Sequence, residues 1–276
     1  MNFNESVEYI HSLLAFGIKP GLERISMLLD LLQNPQDKLK IVHIAGTNGK
    51  GSTSTMISNM LIADGHKTGL FTSPYVIDFC ERIQIDGKNV SKNLFAECVT
   101  EVREKIEELN KKDIIITEFE AITVSAFLCF VKAECEYVVL EVGLGGRFDA
   151  TNVVKKPEAV VITSISLDHI AILGDTIEKI AFEKCGIIKE NTTVITSSNQ
   201  HSDALRVIEE ICKEKNCKLI ISEPFKAEII DDTIFGTEFA FDDNTYKTKL
   251  TGNHQIENTV NAIECADVLG ISMEAV

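Results

Sequence analysis

A chain of 276 residues with 45% hydrophobic side chains and no low-complexity tract is long enough to bury one large α/β core. Its net charge of -15 excludes a sequence-independent nucleic-acid binder, which needs a basic surface, and leaves any anionic ligand to local cations. No apolar run reaches membrane-spanning length and Met1–Glu5 lacks signal-peptide character, while eight scattered cysteines without a C-x-x-C pair suit buried free thiols in a reducing cytosol.

Residues 4–15 and 22–33 read as two amphipathic helices, separated by a turn at the breakers Gly17, Pro20 and Gly21. The β-branched run Ile41–Ile44 then reads as a buried strand. It breaks into Gly46-Thr47-Asn48-Gly49-Lys50-Gly51-Ser52, after which Met56, Ile57, Met60 and Leu61 recur on one helical face. Strand, glycine loop with a lysine, and helix make a phosphate cradle. Glycines let backbone N–H groups turn inward, the helix N-terminus adds partial positive charge, and Lys50 adds a full one. The spacing departs from G-x-x-x-x-G-K-[ST], because Gly51 stands where a magnesium-binding hydroxyl is usual, so another oxygen must hold the metal. The blander alternative is a glycine turn that only starts a helix.

Residues 67–72 predict a second strand ending at Thr72-Ser73-Pro74-Tyr75. A hydroxyl at the carboxyl end of a parallel strand lies on the ligand side, so Ser73 is a candidate for the missing oxygen, although Ser-Pro alone signals only a turn. Helices are expected over 91–109 and 119–133, the latter opened by Thr117-Glu118-Phe119-Glu120, where Glu120 suits the helix dipole. Tyr137–Glu141 reads as a buried strand closing on a carboxylate, the arrangement that holds Mg²⁺ beside a phosphate loop. A glycine-rich stretch, 143–152, follows. The strand 159–164 delivers Asp168 and His169, and a histidine in that place reaches the same sheet edge as Ser73 and Glu141, or is an ordinary satisfied polar residue. Lys184 near a helix end is by itself a dipole partner. Strands at 193–196 and 218–221 flank a helix over 202–215. Residues 227–250 read as a small antiparallel meander, and Gly252–Asn258 opens a last helix through Leu269, with Asn253 a candidate cap.

Taken whole, the loop Gly46–Ser52 resembles the ATP loop of the Mur ligase superfamily, in its folylpolyglutamate synthase and dihydrofolate synthase branch. Thr72-Ser73-Pro74 with Glu81-Arg82-Ile83 on a mobile loop, Gly143–Asn152, Asp168-His169 and Glu183-Lys184-Cys185-Gly186 are similar to that branch in the same order. The resemblance implies a P-loop α/β domain over 1–276, with a mostly parallel sheet flanked by helices. It implies ATP-dependent addition of glutamate to a folate, or to dihydropteroate, through an acyl phosphate, by a cytoplasmic monomer without nucleic-acid or membrane partners. It places the nucleotide on Thr47, Asn48, Gly49, Lys50, Gly51, Ser52 and Asn258. It places two Mg²⁺ on Ser73, Glu141, His169 and Lys184, the last as a carbamate, and counts Lys50, His169 and Lys184 as catalytic. Phe119, Glu120, Arg147, Phe148 and Asp149 would contact folate. The family's smaller C-terminal domain would begin where this chain stops, so residues 1–276 alone are expected to ligate poorly. Two other readings are a different Mur-type amino-acid ligase and a nucleotide-binding module without catalysis.

Overall fold

In the computed structural model, which describes residues 1–17 and 19–276, the expected turn at 17–21 includes one residue, Ile18, outside the described set. Helices α1 (Phe3–Ser12) and α2 (Glu23–Leu31) precede strand β1 (Lys40–Ala45) and the loop helix α3 (Lys50–Ala63). Next come β2 (Thr68–Phe71), a short hairpin of β3 (Ile83–Ile85) and β4 (Lys88–Asn89), and the helices α4 (Lys92–Asn110) and α5 (Glu118–Lys132). Then β5 (Tyr137–Glu141), β6 (Ala159–Ile162), the one-turn α6 (Ile170–Leu173) and α7 (Ile177–Lys184) lead to β7 (Thr193–Ser197). Helix α8 (Ser202–Glu214) and β8 (Lys218–Ser222) finish the main sheet. The meander β9 (Glu228–Thr233), β10 (Gly236–Phe241) and β11 (Asn244–Thr248) and helix α9 (Asn253–Leu269) close the chain.

The main sheet runs β4-β3-β2-β5-β1-β6-β7-β8, parallel from β2 to β8, with the hairpin antiparallel on one edge. The meander forms a separate antiparallel sheet, as its alternation predicts. Both faces of the parallel part are covered, which is why its strands are buried along their length rather than on alternate residues. Alternate residues serve opposite layers: Val138 and Leu140 pack toward α4 and α5, whereas Val139, Val42 and Ile44 pack toward α3, α9 and the meander. A third cluster under α7 and α8 takes Val160, Ile162 and Val194.

Helix starts follow local chemistry. Ser91 and Thr176 cap α4 and α7, and Thr117 forms a reciprocal capping box with Glu120 at α5. Helix α9 corrects one expectation: Gly252 occupies its cap position and Asn253 lies inside the first turn. Within the segment expected on a loop, Phe79–Arg82 forms a 3-10 turn and Ile83 pairs with Phe71 of β2. All eight cysteines are free, and Cys98, Cys129 and Cys265 are buried. Among the described residues, no helix is long and apolar enough to cross a membrane.

Candidate functional site

Strands β1, β2, β5 and β6 end on one rim, and the segments leaving them converge there. Leaving β1, the loop turns at Gly46, where a Cβ would lie 1.8 Å from Thr163 Oγ1, so only glycine lets the loop pass the end of β6. Thr47 and Asn48 donate their backbone N–H groups to Ser164 O at 2.8 and 3.3 Å, tying the loop to the segment after β6. Gly49 caps α3 with φ +85, the left-handed region. A Cβ there would come 2.1 Å from Asn258 Oδ1, so the Asn258 side chain, from α9, lies directly over the loop.

The cations gather on one carbonyl. Lys50 Nζ donates to Gly46 O and Thr47 O, each at 3.2 Å, and Lys184 Nζ donates to the same Gly46 O at 2.7 Å. Lys184 is 4% exposed. Burial, and then the nearby Lys50 charge, bring its ammonium down to about 8, against the pull of Asp168. Glu141 closes β5 and is also buried. Burial pushes its carboxyl up to about 7, opposed first by Lys50 and then by the Ser73 N–H, which approaches Glu141 Oε2 at 3.4 Å. A Cβ on Gly51 would sit 3.7 Å from that same oxygen. The phosphate loop, Ser73 and Glu141 are therefore one neighbourhood. His169 opens α6 with φ 47, and its half-exposed ring lies 3.6 Å from Asp168 Oδ2. Among the described residues no three His, Cys, Asp or Glu side chains are grouped to hold a metal. Glu141 nevertheless has the character of a hard-cation ligand, a buried oxygen donor held by one long N–H contact and nearby positive charge.

From Ser73 a cleft of about 590 Å³ runs outward, lined by Phe119, Glu120, Arg147, Phe148 and Asp149, all five expected folate contacts. Their individual environments differ. Phe119 lies against Gly143, where a Cβ would meet its ring at 2.5 Å. Arg147 pairs with Glu183 at 2.7 Å and stacks over Phe148 and Phe182, leaving Phe148 46% exposed. Glu120 Oε2 accepts from Thr117 N and Oγ1 at 2.8 and 2.9 Å, and its Oε1 lies 3.0 Å from Arg24 without hydrogen-bond alignment. Asp149 is buried and accepts from Thr151 N, Thr151 Oγ1 and Leu144 N, at 2.9, 2.6 and 2.9 Å. Burial raises its carboxyl, the three bonds opposing. Thr151 Oγ1 also meets His43 Nε2 at 2.9 Å, so His43, brought down to about 3 by burial first and the Lys189 charge second, completes a buried chain into β1.

Sequence reasoning missed the positions that act through these. Gln200 donates to Thr163 O at 2.7 Å and accepts from Ile165 N at 3.0 Å, pinning the segment that carries Ser164. Arg82, cited in a motif but given no role, lines the cleft. A glutamine after a strand carries no signal in one sequence.

Residues 44–266 match the Mur ligase middle domain. The chain is 40% identical over 281 residues to the dihydrofolate synthase/folylpolyglutamate synthase of Bacillus subtilis (strain 168), covering 97% of this chain and 64% of that protein. It is 35% identical to the folylpolyglutamate synthase of Lacticaseibacillus casei, covering 97% and 64%. The chain thus spans just under two thirds of both relatives. Its fold is similar to a solved complex of FPGS with AMPPCP and folate, at 34% identity and TM-score 0.87, covering 97% of this chain and 67% of that one. It is equally similar to a folylpolyglutamate synthase structure from Thermotoga maritima, at 34% identity and TM-score 0.87, covering 99% and 64%.

Proposed function

From the premise that this chain belongs to the Mur ligase family, we propose that it is the ATP-binding unit of a ligase that adds L-glutamate to a folate, and that dihydropteroate is a further acceptor to test. The observation that carries the reading is the double role of Ser73. Its N–H faces Glu141 beside the phosphate loop, and the same residue lines the 590 Å³ cleft. A phosphate site and an aromatic-walled cleft opening from one residue suit transfer from ATP to a carboxylate at the cleft's inner end. The -15 balance favours a small anion caught by local cations over a nucleic acid.

In this reading the N–H groups of Gly49 to Ser52 and the Lys50 ammonium hold the β- and γ-phosphates. Asn258 covers the loop from α9 and would border the nucleotide base. Glu141 and Ser73 would hold Mg²⁺, with His169 joining only if its exposed loop turns inward. The ion would supply charge neutralisation on the phosphates. Lys184, buried with a lowered ammonium, is suited to take up CO₂: its neutral amine attacks carbon, loses a proton, and becomes an anionic carbamate able to hold a second Mg²⁺. The folate γ-carboxylate attacks the γ-phosphoryl group and releases ADP. The glutamate amine then displaces phosphate from the acyl phosphate.

Phe119 and Phe148 would flank the pterin. Asp149 and Glu120, both engaged in internal hydrogen bonds, would act mainly by shaping the wall. The test is ADP formation from MgATP that requires both tetrahydrofolate and L-glutamate, alongside binding of each ligand. Binding of a nucleotide-linked muramyl peptide in place of folate would assign the chain to another Mur-type ligase. Binding of both ATP and folate without glutamate incorporation, even after the family's C-terminal domain is added in trans, would make it a non-catalytic module.

A further inference from the structure

Two arginines, Arg82 and Arg147, line the cleft, and a third, Arg24, reaches the wall residue Glu120 from behind; Arg24 and Arg147 are committed. Arg24 faces Glu120 at 3.0 Å, and Arg147 is paired with Glu183 at 2.7 Å. Arg82 lines the same cleft and forms no ion pair among the described residues. Its guanidinium lies 5.0 Å from the Tyr75 ring and 5.6 Å from the Phe79 ring, and its Nε is buried without a hydrogen-bond partner. The carboxylate whose charge acts on it is Glu118, which is already engaged by His11 at 2.9 Å. In a chain with 42 acidic residues against 27 Lys and Arg, a cleft-wall guanidinium left without a carboxylate is conspicuous. Stacking on aromatic faces holds the planar fork in place without using its donors, which stay free for an incoming anion.

The backbone fixes which end of the cleft Arg82 serves. Thr72 N donates to Arg82 O at 3.0 Å, and the register of β2 with β3 sets Phe71 against Ile83. The Arg82 backbone is therefore across from the residue preceding Ser73, the end of the cleft where, in the folate reading, a reacting carboxylate meets the phosphates. A folate carries two carboxylates on its glutamyl group. The γ-carboxylate reacts and the α-carboxylate, a few bonds away, is a spectator. A pteroate has only the reacting carboxylate.

We propose that Arg82 receives the spectator α-carboxylate of a glutamyl-bearing substrate and so favours folates over pteroates. This rests on the folate reading of the cleft and adds to it a residue that distinguishes the two acceptor classes. Bidentate guanidinium–carboxylate pairing is the geometry that Lys or Gln at this place cannot reproduce.

The test measures equilibrium binding to the whole chain, with Mg²⁺ and AMPPCP present, of folate, pteroate and the α-carboxamide of folate. Arg82→Gln is expected to weaken folate by about tenfold or more and pteroate by less than about threefold, the scale of one charge-assisted bidentate pair. Arg82→Lys should fall between. The α-carboxamide should bind the wild-type chain about as weakly as folate binds Arg82→Gln, and should lose nothing further in that variant. Equal weakening of folate and pteroate would overturn the inference, because Arg82 would then only support the wall. So would an α-carboxamide that binds the wild type as tightly as folate, an arm that needs no variant to fold. A wild-type chain that binds neither folate nor pteroate would remove the cleft assignment itself, and the inference with it.

Discussion

Lys50 and Lys184 donate to one atom, the Gly46 carbonyl oxygen, at 3.2 and 2.7 Å. One lysine comes from the start of α3 and the other from the end of α7, 134 positions later, so the loop that would cradle phosphate is also where α7 is anchored. Two ammonium groups on one carbonyl repel each other, and the buried one yields: Lys184 moves down to about 8 by burial first and by Lys50 second.

That coupling gives the first prediction. Lys50→Met removes the repulsion while burial persists, so the Lys184 ammonium should rise part of the way back and less neutral amine should exist at pH 8. With ¹³C-bicarbonate, the wild type should show a carbamate carbon signal that strengthens between pH 7 and 9 and is absent from Lys184→Ala. Lys50→Met should show a weaker signal at pH 8. A signal equal in Lys184→Ala would remove the carbamate role.

Glu141 gives a pH dependence with a definite sign. Its carboxyl stands at about 7 in the folded chain against 4.5 ordinarily, with burial the leading cause. The folded state therefore holds the proton more tightly than the unfolded state. The stabilising contribution is complete below pH 4.5 and is lost as pH rises toward and through 7. Between pH 5 and 8, urea midpoints of the wild type should fall relative to those of Glu141→Gln. Added Mg²⁺ should offset the fall above pH 7, where the carboxylate is free to bind it. A parallel pair of pH profiles would contradict the shifted carboxyl.

Gly49→Ala tests the contact between loop and last helix. A left-handed alanine costs about 1–2 kcal/mol, and its Cβ would fall 2.1 Å from Asn258 Oδ1. The variant should unfold at lower urea and bind AMPPCP weakly. Adding Asn258→Gly should relieve the clash but not the backbone term, restoring part of the stability. Additive losses would show that Asn258 does not lie over Gly49.

Gln200 should act on nucleotide without touching it. Gln200→Leu leaves Ile165 N and Thr163 O without their partner, each orphan costing about 1–3 kcal/mol. Because Ser164 O holds Thr47 N, the loosened segment should weaken AMPPCP binding more than folate binding. Gln200→Glu, which keeps the acceptor alone, should be intermediate. Equal losses for both ligands would reduce Gln200 to a general stabiliser.

Much of this was legible in the sequence because it is local. The apolar run 41–44, the glycine spacing and the helical face of Met56, Ile57, Met60 and Leu61 specify strand, loop and helix within 20 residues. Carboxyl-end placement of Ser73 and Glu141 follows from two strand endings, and the sheet makes those strands neighbours. What escaped depends on distant partners. Glu120 is legible as a helix-start acid, but its approach to Arg24 joins two helices. The motif around Asp149 is visible, whereas its burial under Thr151 and His43 is a property of packing. The β3–β4 hairpin is too short and too polar to announce itself against a loop, and is made by pairing with β2. Asn253 looked like a cap because its type suits one, but Gly252 takes that place in the backbone.

The most direct test of the account is AMPPCP affinity, with and without Mg²⁺, for the wild type, Lys50→Met and Glu141→Gln. The account predicts binding that Mg²⁺ strengthens in the wild type, severe loss in Lys50→Met, and binding that no longer responds to Mg²⁺ in Glu141→Gln. Equal affinity and equal Mg²⁺ response in all three would contradict it.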